Sequence, residues 1–304
     1  MDLSRRSILL TSLSVFLLPA RLGAAVARMD SQPNRTLSPP IEEVPTLSSA
    51  PIELAGAWGQ MLPGAAEAVL EKMRMACLEG VRLVSERQPS RIRVDEHRSG
   101  PPAIWLHRDA SRTAWIIVDI GDRAWSQLAY QFGHELGHVL GNSWQSYGKP
   151  GGPCQWLEES LVEAFSIRGL GRLASSWKQN PPFPKDNAYG DAIAGYRRDL
   201  EEKYRKLAVA QGGLGDIAAW YRHHRPRIEA GDGLNEFAQA ASLQFLEIYE
   251  SKPNSVEAIG ALNRWPGRSH LPLAEYLREW KASCAEIGAS AELVEFLGDR
   301  LRAR

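Results

Sequence analysis

Five consecutive residues, His134-Glu135-Leu136-Gly137-His138, place the narrowest limits on how this chain folds. Residues four apart share one face of an α-helix, about 5–6 Å apart at Cβ, so a helix here presents both imidazoles to one metal ion. Glu135 then stands one position round the helix, beside the metal, where a base for a metal-activated water is needed. The motif therefore predicts a helix, a metal site at His134 and His138, and a general base at Glu135.

Apart from Glu135, the residues between and just after the two histidines are uncharged. Leu136, Gly137, Val139 and Leu140 suit a helix buried beneath a cleft, and Gly137 has no side chain to crowd the neighbouring elements. The alternative interpretation is a buried helix whose histidines are hydrogen-bonded core residues without a metal.

A second motif follows one short connection downstream, Trp156-Leu157-Glu158-Glu159-Ser160-Leu161-Val162. A catalytic zinc ion usually takes three protein ligands and keeps a fourth position for water, so the two histidines need a partner. Together the two motifs resemble the gluzincin group of metallopeptidases, in which a glutamate in Trp-Leu-x-Glu-Gly-x-Ala on the following helix is the third ligand. The resemblance covers roughly residues 114 to 170, has Ser160 in place of the usual glycine, and implies Glu159 as that ligand.

Glu158 is the rival ligand, because spacing alone does not separate two neighbouring residues. Metal-bound histidines usually donate their other ring N–H to a carboxylate. Glu163, one turn beyond Glu159, shares its face of the helix and is placed to accept from one of the histidines. Glu158 has only Val162 at that spacing, so this argument favours Glu159.

Two other zinc-peptidase layouts fit the chain less well. Gly141 lies where metzincins carry a glycine, but Trp144 stands in the place of their third histidine. The chain has no Gly-x-Met-Glu-Asn segment of the kind found in zinc aminopeptidases. Recognition of a free substrate N-terminus therefore has no support.

The resemblance implies a zinc-dependent metallopeptidase that binds one zinc ion and acts on a peptide or protein substrate. Zinc lowers the pKa of its bound water to about 7, Glu135 takes the proton, and the hydroxide attacks the scissile carbonyl. Such enzymes generally add a tyrosine or histidine that stabilises the oxyanion. The candidates in this chain are Tyr189, Tyr196, Tyr221, His223 and His224.

Two other functions stay open. A non-catalytic metal-binding or protein-interaction module of the same fold is one, although Glu135 argues against it because a metal needs no adjacent base merely to be held. A zinc amidase acting on a non-peptide amide of the cell wall is the other, since the same site residues would serve it.

The apolar periodicity predicts an α+β fold, with a small N-terminal β-sheet and the active-site helix followed by a mainly α-helical C-terminal portion. The resemblance to gluzincins implies that this fold is zincin-like. Strands are predicted at 92–94, 103–106 and 114–120. Helices are predicted at 64–86, 123–140, 154–173, 187–209, 213–224, 233–250, 254–263, 271–284 and 288–302. Breaks between the later helices are expected at proline and glycine positions, among them Pro226.

The N-terminus resembles an export signal. Arg5 and Arg6 precede an apolar run at 8–18, and Ala25-Val26-Ala27 offers a small-x-small cleavage site. Ser4-Arg5-Arg6-Ser7 resembles the twin-arginine signal, with a general secretory signal as the alternative. The run is shorter than the about 20 residues that span a bilayer. We therefore expect a periplasmic or secreted bacterial protein with no stable membrane insertion after cleavage.

The predicted organisation has four parts: a signal peptide at 1–27, a flexible Pro/Ser-rich leader at 28–54, a zincin-like catalytic core at 55–175 and a helical C-terminal subdomain at 176–304. Lys plus Arg equals Asp plus Glu at 36 each, so the charge gives no reason to expect a nucleic-acid partner. The sequence leaves the oligomeric state open.

The cysteines are three, at Cys77, Cys154 and Cys284, without Cys-x-x-Cys spacing. In an oxidising compartment an odd number allows one disulfide and one free thiol, and Cys154 is interpreted as a small buried hydrophobic residue.

Overall fold

Short strands with alternating apolar residues form the first part of the fold. In the computed structural model of the protein, the described residues are 46–56, 58, 63–97, 101–106, 112–120, 124–145 and 151–301. The strands are β1 (Ile52–Gly56), β2 (Arg91–Glu96), β3 (Ala103–Ile104) and β4 (Thr113–Val118). Ile92 and Val94 of β2 are fully buried, whereas Arg91, the first residue of that strand, is exposed. One face of the sheet therefore packs on the core.

The four strands form one mixed sheet in the order β1-β2-β4-β3. β1, β2 and β4 run parallel, with Ile52 opposite Ile92 and Ile92 opposite Ala114. β3 is antiparallel to β4, with Ala103 opposite Ile117. β3 is therefore an edge strand of the sheet, and both β3 and β4 contact α2.

The helices are α1 (Pro63–Leu78), α2 (Trp125–Leu140), α3 (Gln155–Gln179), α4 (Tyr189–Ala210), α5 (Ile217–Ala230), α6 (Glu236–Ser251), α7 (Leu273–Ile287) and α8 (Glu292–Leu301). Two 3₁₀ helices, Pro253–Ala261 and Arg268–His270, lie between α6 and α7. α3 packs against α1, α2, α4 and α6. Every residue from Trp156 to Leu170 is buried, so α3 is the central element of the helical body.

The described residues show a mixed α+β protein, as predicted. Several predicted boundaries differ. The helix expected at 64–86 ends at Leu78, where Gly80 turns the chain with a φ of 73° that most residues avoid. Pro226, expected as a break, lies inside α5. Proline has no N–H, so the carbonyl of Arg222, four residues earlier, has no helical donor. Pro226 and Arg222 are both exposed, so water can donate to that carbonyl instead. The helix expected at 254–263 is the 3₁₀ helix Pro253–Ala261.

The domain boundaries also differ from the prediction. Sheet pairing starts at Ile52 and the side chain of Leu47 is fully buried, so the last residues assigned to the flexible leader belong to the fold. The boundary predicted after residue 175 falls inside α3, and Val44 to Arg304 form one compact unit. The predicted signal peptide at 1–27 lies outside the described residues. Among the helices of the described part, none has the length and apolarity to cross a bilayer.

All three cysteines are buried and unpaired in the structure. Burial raises the pKa of the Cys77 thiol to about 12, and that of Cys154 to about 12. These values describe unreactive core thiols, which agrees with the interpretation of Cys154 as a small buried hydrophobic residue.

Candidate metal centre

The candidate site lies where α2 and α3 cross. His134 contacts Glu163 and His138 contacts Glu158, so rising residue numbers on α2 meet falling numbers on α3 and the two helices are antiparallel. Gly137 faces α3, and a Cβ added there would lie 2.8 Å from Cβ of Val162. The glycine of the motif thus lets the two helices approach closely enough for short glutamate side chains to reach the imidazoles.

The structure brings the three predicted ligand residues together. Oε2 of Glu159 lies 3.3 Å from Nε2 of His134 and 3.6 Å from Nε2 of His138. One ligand atom from each residue lies within 4.8 Å of the others, and all three residues are buried. This is a buried group that can hold a metal ion, which confirms that much of the prediction.

The outer ring nitrogens of the histidines are also occupied. Nδ1 of His134 lies 2.8 Å from Oε2 of Glu163, and Nδ1 of His138 lies 2.8 Å from Oε1 of Glu158. An ionised carboxylate only accepts, so each Nδ1 carries the proton that it shares with its glutamate. Each histidine thus turns Nε2 toward Glu159, and Nε2 is the ring nitrogen that would ligate a metal ion.

Glu163 is held in turn by two phenols. The hydroxyls of Tyr130 and Tyr204 donate to its Oε1 at 2.9 and 2.7 Å, and Glu163 itself is fully buried. Burial raises the pKa of Tyr130 well above its ordinary value, and the neighbouring Glu163 carboxylate adds to the effect. Tyr130 therefore stays a neutral donor, and both oxygens of Glu163 are used.

Glu158, the rival candidate for third ligand, does not have the contacts expected of a ligand. Its Oε1 accepts from His138 and from Ser143, and its Oε2 accepts from Asn263 at 2.7 Å. Burial on its own raises the pKa of Glu158, but the hydrogen bond and charge of His138 and the charge of Arg268 outweigh it, so the pKa is lowered. Glu158 thus anchors His138 and lies outside the His134–His138–Glu159 group.

The electrostatics of the group favour positive charge. Burial lowers the pKa of His134, but hydrogen bonds to Glu159 and Glu163 outweigh it and raise the pKa to about 10. The pKa of His138 is raised as well, with Glu159 as the largest favourable influence. The pKa of Glu159 is lowered, because the charge of His138 and its hydrogen bonds to both imidazoles outweigh its burial. Buried carboxylates around two imidazoles create a demand for a cation at this point.

Glu135 differs from the other glutamates of the site. It is 3% exposed, lines the same cavity as the three candidate ligands, and is not part of the group. Burial raises the pKa of Glu135 and outweighs the opposing charges of His134 and His138. The nearby carboxylates of Glu159 and Glu163 add to the rise. A carboxylate with a raised pKa beside a metal site is suited to accept and return a proton.

A cavity of about 550 Å³ opens onto the group. Its floor is formed by His134, Glu135, His138 and Glu159, and one wall by residues 101–104 and Leu106 around β3. Gly233 and Leu234, from the connection between α5 and α6, form another part of its lining, together with Tyr130, Gln131 and Ser143. The metal group therefore faces a space large enough for part of a substrate.

The five predicted oxyanion candidates lie elsewhere among the described residues. Tyr189 contacts Ser126, Tyr221 donates to Glu229, and His224 contacts the carbonyl of Gln211. None of Tyr189, Tyr196, Tyr221, His223 and His224 is among the residues that line the cavity.

Sequence reasoning missed Tyr130, Tyr204, Ser143 and Asn263. Tyr130 lies four residues before His134, so it shares that face of α2 and its position carried a usable signal. Tyr204 and Asn263 lie 41 and 105 residues from the glutamates they contact, and no local pattern marks them.

Comparisons with protein-family models, with curated proteins and with solved structures found no match to this chain.

Proposed function

We propose that this protein is an exported, zinc-dependent metallopeptidase of gluzincin type, with a zincin-like catalytic part. The observation that supports this most is the buried His134–His138–Glu159 group at the floor of a cavity, with Glu135 beside it. The export signal at 1–27 supports a location outside the cytoplasm.

The donor set fits zinc. Two imidazole nitrogens and one carboxylate oxygen are three protein ligands of the kinds that catalytic zinc takes, and the cavity offers access to a fourth position. A zinc ion held there would supply a more acidic water molecule and polarise the carbonyl that is attacked.

Glu135 is the proton carrier in this proposal. It lies in the cavity wall beside the metal group, and its raised pKa brings the protonated and ionised forms closer in energy. Glu135 would accept the proton of the attacking water and pass it to the leaving amine. Glu158 and Glu163 take no part in that transfer, because their oxygens are already engaged by other donors.

The shape of the cavity favours an extended chain as substrate. Among the described strands, β3 pairs with β4 alone, and Ala103 and Ile104 of β3 line the cavity. Backbone groups on the outer side of an edge strand can pair with a peptide laid alongside it. A peptide so placed would lie in the same cavity as Glu135 and the metal group. This supports peptide bonds over cell-wall amides that lack a peptide backbone.

Two substitutions test this function. Zinc content and hydrolysis of an unfolded protein are measured for the wild type, Glu135→Gln and Glu159→Ala. We expect Glu135→Gln to keep one zinc per chain and to lose hydrolysis by about 10²–10⁴-fold, the usual contribution of a general base. Glu159→Ala should lose the zinc.

Three results would count against the proposal. A wild type that binds zinc but cleaves no protein, peptide or cell-wall fragment would favour the non-catalytic module. Cleavage of cell-wall fragments alone would favour the amidase. Full activity in Glu135→Gln would remove Glu135 from the mechanism.

A further inference from the structure

The loop after α2 and the segment that connects α6 to α7 meet at Glu158. Ser143 lies in the loop after α2. In the connecting segment, Asn263 follows the first 3₁₀ helix and Arg268 begins the second. Glu158 is fully buried, and Asn263, Ser143 and Arg268 are 1%, 3% and 5% exposed. Bulk water has little access to these buried atoms, so their hydrogen-bond partners are one another. The direction of each bond then follows from which of the two groups can donate.

Ser143 has a fixed direction in this network. Its Oγ accepts from Nη2 of Arg268 at 2.8 Å and from Nδ2 of Asn263 at 3.1 Å. Both of these nitrogens can only donate, so the serine proton points to the third neighbour, Oε1 of Glu158, which can accept it. Arg268 cannot accept, which makes the order of donors irreversible.

Asn263 has a fixed orientation as well. The same nitrogen that donates to Ser143 faces Oε2 of Glu158 at 2.7 Å and the carbonyl of Gly141 at 3.1 Å. Both of these oxygens only accept, so this atom must be the amide nitrogen. The hydroxyl of Tyr276 donates to the amide oxygen at 3.2 Å, which agrees with that orientation. Ser143 and Asn263, the two side chains that these loops direct at the Glu158 carboxylate, are therefore both donors.

The backbone at this junction is held in an uncommon form. Among the described residues, four that are not glycine have a positive φ, and Asn142, Asn263 and Arg268 are three of them, at 65°, 56° and 42°. Asn142 ties the two loops together, since its Nδ2 donates to the carbonyls of Gly260 and Leu262. Residues other than glycine disfavour such conformations, which persist where surrounding contacts impose them.

We propose that Arg268, Ser143 and Asn263 form a one-way hydrogen-bond relay through Glu158 that fixes the tautomer and ring orientation of His138. Glu158 is then a positioning residue. Because the Glu158 carboxylate takes the donors of Ser143 and Asn263, Nδ1 of His138 is the donor toward its Oε1, and Nε2 is the nitrogen that faces Glu159 and would ligate the metal. The inference rests on the proposed metal site and adds that residues more than one hundred positions downstream complete it.

The test measures the affinity for Zn²⁺, by competition with a chelator, in the wild type, Glu158→Gln and Asn263→Ala. Losing an outer partner of a metal-ligating histidine typically weakens binding about 10–100-fold, and we expect that range for Glu158→Gln. Asn263→Ala should fall in the same direction. The absorption spectrum of bound Co²⁺ should shift in both variants, because the ligand geometry changes.

Glu257→Gln is the matched control. Glu257 is a buried glutamate that pairs with Arg82, away from the metal group. Its substitution should lower the midpoint of thermal unfolding without changing the Zn²⁺ affinity or the Co²⁺ spectrum, which separates positioning from a general loss of packing.

The outcomes are distinct. If the wild type binds no Zn²⁺, the proposed function fails. If the wild type binds Zn²⁺ and Asn263→Ala and Glu158→Gln bind it equally well, the relay is overturned while the proposed function stands. Should Glu158→Gln not fold, Asn263→Ala decides alone, since it leaves α3 intact. Loss of zinc in Glu158→Ala together with retention in Glu159→Ala would make Glu158 a ligand and overturn the relay.

Discussion

Three glutamates of one helix, with the same side-chain chemistry, fill two different roles at this site: one is a candidate ligand and two are partners of the histidine Nδ1 atoms. Successive residues of an α-helix are about 100° apart, and residues four apart are about 40° apart. Glu159 and Glu163 therefore share a face toward α2, one facing Nε2 and the other Nδ1 of His134. Glu158 is turned toward the C-terminal end of α2, where it meets Nδ1 of His138. At the residue scale, position on the helix separates a candidate ligand from its supports.

Tyr204 tests the support of His134. Tyr204→Phe removes a donor to the buried Oε1 of Glu163, a hydrogen bond to a charged group that is worth about 1.5–3 kcal/mol. We expect a loss of stability in that range by urea unfolding and weaker Zn²⁺ binding, because Glu163 then holds His134 less firmly. Tyr221→Phe is the control. Its hydroxyl also donates to a glutamate at 2.7 Å, but to Glu229, outside the metal group. Equal zinc affinity in wild type and Tyr204→Phe would contradict the expectation.

At the scale of elements, the site depends on how closely α2 and α3 approach. Gly133 and Gly137 lie four apart on α2, and added Cβ atoms would meet Ser166 at 2.8 Å and Val162 at 2.8 Å. The two histidines of the metal centre thus directly follow the two glycines of the close helix contact along α2: His134 follows Gly133, and His138 follows Gly137. The spacing of four serves both, since it is the spacing of one helix face.

Gly137→Ala tests this close helix contact. Alanine favours a helix over glycine by about 1 kcal/mol, but here its Cβ would lie 2.8 Å from that of Val162, and overpacking costs about 1–3 kcal/mol. We expect a net loss of stability and weaker Zn²⁺ binding as α3 moves away. Gly64→Ala is the control, because Gly64 lies in α1, is exposed and has no atom within 4 Å of an added Cβ. Gly64→Ala should be neutral or stabilising, and a Gly137→Ala protein that matches it would refute the close helix contact.

On the scale of the whole molecule, the candidate site joins distant parts of the chain. α3 contacts α1, α2, α4 and α6, Tyr204 comes from α4, and Asn263 comes from the segment before α7. A metal bound where these parts meet stabilises the fold by mass action, because it binds the folded state in which the ligands are together. Residues of the predicted catalytic core and residues of the predicted helical C-terminal subdomain thus both contribute to the candidate site.

Zinc should therefore raise the temperature of unfolding. At a free Zn²⁺ concentration of about 1,000 times Kd the stabilisation is about 4 kcal/mol. For a unit of this size, 1 kcal/mol shifts the midpoint by about 2–4 °C, so a rise of roughly 8–16 °C is expected by calorimetry. Glu159→Ala should show little of this rise. The same shift in Glu159→Ala as in the wild type would mean that zinc binds elsewhere.

The sequence by itself determined the chemistry of the candidate site. Local spacing was enough to identify His134, Glu135 and His138, which lie within about one helical turn of each other. Glu159 was preferred to Glu158 through the resemblance to gluzincins and the position of Glu163. The small sheet followed by helices was also predictable, because apolar periodicity is a local property. Helix ends and the boundary inside α3 were not, since packing decides them.

Only the tertiary structure decided which carboxylate serves which histidine. That assignment depends on the direction in which α3 crosses α2 and on the angle at which Glu158 leaves the helix, and neither is written in the spacing of residues. It also depends on Asn263, Arg268 and Tyr204, which reach the site through contacts between elements far apart in the chain. The physical reason is that a metal-ligand motif is short-range, whereas the hydrogen bonds that fix its tautomers are formed by whatever the packed fold brings beside it.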